Sequence, residues 1–188
     1  MPLKPLGSRS LAALLGRQLV DAEEAGTVAL MARGRRARRR GWLTRGEFLA
    51  MCRWKSPRAM PHYRKNSAAR VREATRRALA ARNESGRMAE LTALAGVSVP
   101  VGSAILTLLH PRRYGVLDIR VWQLLFATRS VGVNREGRGF SIAQWEQYVA
   151  TLRRHARRLN ATPRAVEYTL FLCHRAHQRG RLYDPPGR

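Results

Sequence analysis

The stretch ELTALAGVSVPVGSAILTLLHPRRYGVLDIRVW, Glu90 to Trp122, does most to limit what this chain can fold into. Met88, Leu91 and Leu94 recur at helical spacing, and Gly96 supplies the left-handed position at which such a helix ends. Ser98 is placed to cap a second helix, whose Val101, Ala104, Ile105, Leu108 and Leu109 form a new apolar stripe. Two apolar helices separated by so short a turn predict a helical hairpin over 88–109. After Pro111 a short extended approach leads to Asp118, the predicted N-cap of a third helix. Ile119, Val121, Trp122, Leu124, Leu125 and Phe126 make that helix apolar almost all round, so it is expected to be central. Asp118 is the only carboxylate side chain between Glu90 and Glu136.

The flanking sequence reads as helix on both sides. Ser10 caps a segment with Leu11, Leu14, Leu15 and Leu19 on one face; Gly26 is expected to interrupt it, with Val28, Leu30 and Met31 resuming after a bend. The run ARGRRARRRG, 32–41, holds six arginines between Arg33 and Arg40 and reads either as a phosphate-tracking arm or as a solvated connector. Thr44 and Glu47 match a capping box, opening a short helix with Phe48, Leu49 and Cys52 inward. Pro57 disfavours helix at Ser56, and 54–66 is expected as a loop that gathers Trp54, Lys55, Ser56, Arg58, His62, Tyr63, Arg64 and Lys65. Lysines among aromatics suit stacking on a base and pairing with phosphate, and equally a polar loop anchored by one tryptophan.

Further on, Asn66 or Ser67 caps a helix through Arg82 with Val71, Ala74, Ala78 and Leu79 inside. Ser141 opens a long amphipathic helix with Ile142, Trp145, Val149, Leu152, Ala156 and Leu159 facing in, and Arg153, Arg154, Arg157 and Arg158 facing out. Thr162 and Pro163 start a last helix with Val166, Thr169, Leu170 and Cys173 inward. No strand and no repeat emerge, so the expectation is one all-α domain over 1–188 with loose ends at 1–9 and 184–188.

Charge points to the partner. The chain carries 36 Lys and Arg against 12 Asp and Glu, a net +24, and self-repulsion of that size favours a polyanion, nucleic acid above all. Lys4, Lys55 and Lys65 are its lysines, so the other 33 basic residues are arginine, the better fork for phosphate; a GC-rich coding bias produces the same preference. Cys52 and Cys173 are too few for a four-thiolate zinc or iron–sulfur site, and a reducing cytoplasm suits them. No apolar run approaches the roughly 20 residues of a membrane span. The expected protein is a cytoplasmic monomer that uses neither membrane nor iron–sulfur cluster.

The hairpin has its own chemistry. Backbone N–H groups at a turn that opens a helix accept a phosphate without any side-chain charge, although a purely structural helical hairpin has the same spacing. LAGVSVPVGSAIL followed by LDIRVW resembles the helix–hairpin–helix DNA glycosylase superfamily, which includes endonuclease III, the adenine glycosylases and the 8-oxoguanine glycosylases. In that family Leu-Pro-Gly-Val-Gly-x-Lys-x-Ala is followed by an Asp at a helix start. Leu94, Gly96 and Val97 match, Ala95, Ser98 and Gly102 depart, and Asp118 lies 18 residues after Pro100, which stands in the lysine position. The resemblance covers Leu91 to about Trp122.

It implies a two-lobed all-α fold, duplex DNA as partner, and roles for individual residues. Amides of Gly96, Ser98 and Val101, with Val97 between them, would contact a phosphate; carbonyls of Thr92, Leu94 and Val97 would hold a monovalent cation, with no other cofactor required. Asp118 would be the catalytic carboxylate that stabilises an oxocarbenium-like sugar, against the plain alternative that it only caps a helix. Lys55, Arg58 and Lys65 are further DNA-contact candidates, and Trp54, Lys55 and Trp122 candidates for a base pocket. Pro100 removes the family's amine nucleophile, so the expected activity is base excision without lysine-dependent strand cleavage. A non-catalytic helix–hairpin–helix DNA-binding module is the alternative, and an RNA-associated helical protein a third.

Overall fold

The computed structural model describes residues 10–16, 19–20 and 22–177, and among them every regular element is helical. The expected loose ends at 1–9 and 184–188 lie outside the described residues. The order is α1 (Leu11–Leu15), α2 (Ala25–Arg40), α3 (Arg45–Lys55), a 3₁₀ turn (Pro57–Ala59), α4 (Met60–Tyr63), α5 (Ala68–Ala80), α6 (Glu84–Thr92), α7 (Val99–Leu109), α8 (Ile119–Ala127), α9 (Ile142–Arg158) and α10 (Pro163–His177). Among the described residues no helix is long and apolar enough to cross a membrane.

Local rules hold at most helix starts. Thr44 and Glu47 form the capping box of α3, Ser141 and Gln144 form another at α9, and Ser10 and Ser67 accept from the N–H groups three residues on. α3 stops at Lys55, ahead of Pro57. Gly96 sits at φ 82° between α6 and α7. A Cβ there would also stand 2.7 Å from the Cβ of His62, so the turn needs glycine for its backbone and for its contact with α4.

Several expectations change. The arginine run is not a connector but the second half of α2, which continues through Gly26 to a left-handed Gly41; the earlier break falls at Gly16 instead. Gly34 and Ala37 give that half a small inward face, so charge alone concealed a helix. Residues 54–66 are not an open loop, because Pro57–Ala59 and Met60–Tyr63 are helical and Tyr63 is buried. Leu159 is exposed at the end of α9 rather than facing in.

The central helix is α7, not α8. Val101 through Leu109 are all buried, whereas Ile119, Gln123 and Phe126 of α8 are only partly so. α2, α3, α6 and α9 all pack on α7, and α10 packs on α1, α8 and α9. Two glycines make this possible. A Cβ on Gly34 would stand 2.2 Å from the Leu108 carbonyl oxygen, and one on Gly102 would stand 2.5 Å from the Met88 sulfur. Close approach of the α2 backbone at Gly34, and of the Met88 side chain of α6 at Gly102, therefore fixes which apolar helix goes inside.

Candidate functional site

Asp118 caps α8 as expected: its Oδ1 accepts the Arg120 N–H at 3.0 Å. Its Oδ2 accepts from Lys55 Nζ at 2.7 Å, and both side chains are mostly buried. α2 and α3 run antiparallel side by side, which brings Thr27 at the start of α2 to Trp54 at the end of α3, where Trp54 Nε1 donates to Thr27 Oγ1 at 3.1 Å. The next residue, Lys55, points at the carboxylate. Together with α10 these segments enclose a cleft of about 290 Å³ lined by Thr27, Trp54, Lys55, Val116, Asp118 and Tyr168, with Glu23, Glu24, Arg164, Glu167, Phe171 and Arg175 around them.

The backbone that delivers Asp118 is extended and has no strand partner, so side chains satisfy it. Glu167 Oε2 accepts the Val116 N–H at 3.1 Å, Tyr148 donates to the Val116 carbonyl at 2.7 Å, and Ser103 Oγ accepts the Leu117 N–H at 2.8 Å. Gly115 is required just upstream, because a Cβ there would meet Leu152 at 2.5 Å and Glu167 at 2.8 Å. Three helices, α7, α9 and α10, thus hold Val116 and Leu117, the two residues just ahead of the carboxylate.

Charge inside the cleft is ordered. Burial pulls the Asp118 carboxyl upward, but the Lys55 ammonium and the Arg120 amide outweigh it and hold the group below the usual carboxylate range. Asp118 is therefore ionised at neutral pH. Behind it, Arg164 donates from Nε to Glu23 at 2.6 Å and from Nη1 to Glu167, and its guanidinium lies 4.6 Å from the Tyr168 ring centroid and 5.8 Å from that of Trp54. Burial pushes the Glu167 carboxyl up, and the Arg164 guanidinium and Val116 amide oppose it. Flat aromatic and guanidinium faces beside an ionised carboxylate and an ammonium form a site that can stack a planar ring and stabilise positive charge next to it.

At the hairpin, the turn is exposed at Gly96 and Ser98, while Val97 is buried beneath it. Among the described residues the N–H groups of Gly96, Ser98 and Val101 have no backbone acceptor, and Asn66 braces the turn through the Ala95 N–H and carbonyl at 2.9 and 3.0 Å. Ser98 occupies the N-cap position of α7 without a side-chain cap bond. Of the carbonyls of Thr92, Leu94 and Val97, that of Leu94 already accepts the Val97 N–H at 3.0 Å. Among the described residues no three His, Cys, Asp or Glu side chains are grouped to hold a metal ion, and no disulfide joins Cys52 and Cys173.

The sequence candidates divide accordingly. Trp54, Lys55 and Asp118 converge on one cleft. Arg58 and Lys65 are exposed and do not line it; His62, between them on α4, lies against Gly96 of the hairpin instead. Trp122 is no part of the cleft: it is fully buried, donates to the Asn134 carbonyl at 2.8 Å and packs on Phe140 and Tyr148. Pro100 opens α7 and lies outside the cleft lining, so the amine near Asp118 comes from α3 and not from the hairpin. Glu23, Arg164 and Glu167 were missed. Asp118 is isolated in sequence yet shares its cleft with three other carboxylates, and the only signal was the three-residue spacing of Arg164 and Glu167 on α10. No protein-family model, curated protein or solved structure matches this chain.

Proposed function

We propose that this chain is a DNA-binding protein of base excision repair type, with a two-lobed helix–hairpin–helix glycosylase-like fold, and that it hydrolyses the N-glycosyl bond of a damaged or modified base. The observation that carries the reading is the ionised Asp118 carboxylate, held 2.7 Å from Lys55 in a cleft walled by Trp54 and Tyr168. The hairpin supplies the phosphate contact through the Gly96, Ser98 and Val101 amides. A target base is extruded from the stack into the cleft, since its glycosidic bond is out of reach within the duplex. As the base departs, positive charge develops on the sugar, and Asp118 stabilises it or orients the attacking water.

Lys55 favours a second reading of the same site. Pro100 leaves the hairpin without an amine, but Lys55 Nζ, at the end of α3, stands 2.7 Å from the carboxylate. When the ammonium gives its proton to the departing base, the freed amine bonds to C1′ as the N-glycosyl bond breaks, giving a covalent protein–sugar intermediate and a neutral free base. Without that step Lys55 serves only to orient Asp118.

Duplexes each carrying one lesion, incubated with protein and then treated with alkali, test the proposal. Strand breaks at the lesion are expected with the wild type, and Asp118→Asn is expected to abolish them while duplex binding persists. Release at the wild-type rate by Asp118→Asn removes the catalytic assignment, and binding without product across a broad panel leaves a DNA-binding module. Borohydride trapping of a protein–DNA adduct that disappears in Lys55→Met selects the covalent route. Competition by structured RNA at fixed salt separates the RNA-associated alternative.

A further inference from the structure

The arginines of α2 are not used by the cleft or by the hairpin. Arg33, Arg35, Arg36 and Arg39 are exposed on the face turned away from the core, and no carboxylate pairs with them among the described residues. Their neighbours on the helix differ: Arg38 reaches His110 Nδ1 at 2.7 Å, and Arg40 pairs with Glu47 and lies 4.4 Å from the Trp42 ring centroid. A basic last turn complements a helix dipole, but that accounts for one or two charges and not for a whole face.

The location separates this face from the hairpin. Gly34 rests on the Leu108 carbonyl and Arg38 bonds His110, both at the C-terminal end of α7, whereas Ser98 and the hairpin turn are at its N-terminal end. An 11-residue helix spans about 16 Å, so the two surfaces lie at opposite ends of the central helix.

We propose that the outward face of the second half of α2 is a second binding surface for the phosphate backbone of duplex DNA, so that one chain holds two duplex segments. It rests on the DNA-binding reading above. Residues 33–39 rise about 9 Å along the axis, a length over which a duplex presents about five phosphates. Arginine forks suit phosphate oxygens, and the helix is already formed, so binding orders only side chains. α2 carries no aromatic residue, which removes the stacking platform a single strand needs and leaves contact with the backbone alone.

Titration with a lesion-free duplex of about 10 bp, one helical turn, tests it. Two duplexes per chain are expected for the wild type and one for the triple variant Arg35→Gln, Arg36→Gln, Arg39→Gln. With four arginines on the face, the salt slope of log K for the second step is about 3.6 in magnitude, and each single Arg→Gln variant is expected to lower it by about 0.9, so the outcome does not depend on the triple variant alone. A wild type that saturates with one duplex, or a triple variant that still takes two, overturns the proposal; so does preference of this face for structured RNA at the same salt. The measurement needs no catalysis. Two duplexes bound here with no base released across the lesion panel sinks only the glycosylase reading, and one duplex bound here with base released from that panel sinks only the second surface.

Discussion

Taking Lys55 away from Asp118 is the perturbation that tests the cleft most directly. The charges are 2.7 Å apart, with 16% and 19% of the two side chains exposed. At an effective dielectric of about 20 they attract by about 6 kcal/mol, most of which offsets the removal of both groups from water. Partial exposure screens the remainder, and a net coupling of about 2 kcal/mol is expected. Lys55→Met keeps the aliphatic stem and leaves Asp118 short of a partner. Asp118→Asn keeps a cap acceptor for the Arg120 N–H but leaves the ammonium unpaired. Each single change should cost about 2 kcal/mol, or about 4–8 °C in Tm for a chain of this size, and the double variant about the same as either alone. Urea unfolding of the four proteins at pH 7 gives the cycle. Asp118 is held below its ordinary value, so its contribution is present above the usual carboxylate range and is lost as pH falls through its lowered folded-state value. The coupling must therefore fade on acidification. Losses that simply add at pH 7, with coupling under about 0.5 kcal/mol, would refute the pair.

Two further outcomes follow from packing and protonation. Gly34→Ala gains about 1 kcal/mol of helix propensity but drives a methyl to 2.2 Å from the Leu108 carbonyl oxygen, and the backbone there cannot swing aside. Overpacking of this kind costs about 1–3 kcal/mol or more, so a lower urea midpoint is expected, whereas Gly26→Ala, with nothing within 4 Å, should leave it unchanged or raise it. Burial, with Arg38, Arg113 and Arg87, pushes the His110 imidazole from 6.5 down to about 4. The folded chain then keeps His110 neutral where the unfolded chain protonates it, so stability is full above about pH 6.5 and declines towards pH 4. Urea midpoints across that range should show the decline, and His110→Asn should flatten it.

What the sequence disclosed was decided locally. The Thr44–Glu47 box, the caps at Ser10, Ser67 and Ser141, the left-handed Gly96 and the cap at Asp118 each depend on a few neighbouring residues, and each is as expected, whereas Ser98 makes no side-chain cap bond. The choice between α7 and α8 as the central helix was not local. Both are apolar, and it fell to Gly34 and Gly102, whose missing side chains let other helices close on α7. The helical arginine run was hidden for a related reason, since its buried face consists of small residues that carry no hydrophobic signal. In the cleft, Asp118 was found from its spacing and Lys55 from its aromatic company, but their pairing across 63 residues was not legible. Nor was Arg164 with Glu23, 141 residues apart, because no periodicity records which distant charges will meet.

The bonds around residues 115–118 also bear on the order of folding. Val116 depends on Glu167 from 51 residues downstream, Leu117 on Ser103 from 14 residues upstream, and Asp118 on Lys55 from 63 residues upstream. Local helices form within about a microsecond, but contacts of such separation wait for chain closure. The carboxylate thus acquires its place only when α3, α7, α9 and α10 have all docked. Refolding chains should regain far-UV helicity before they regain the cleft, and a fragment ending before α10 should keep helices yet leave Asp118 without the frame that aims it.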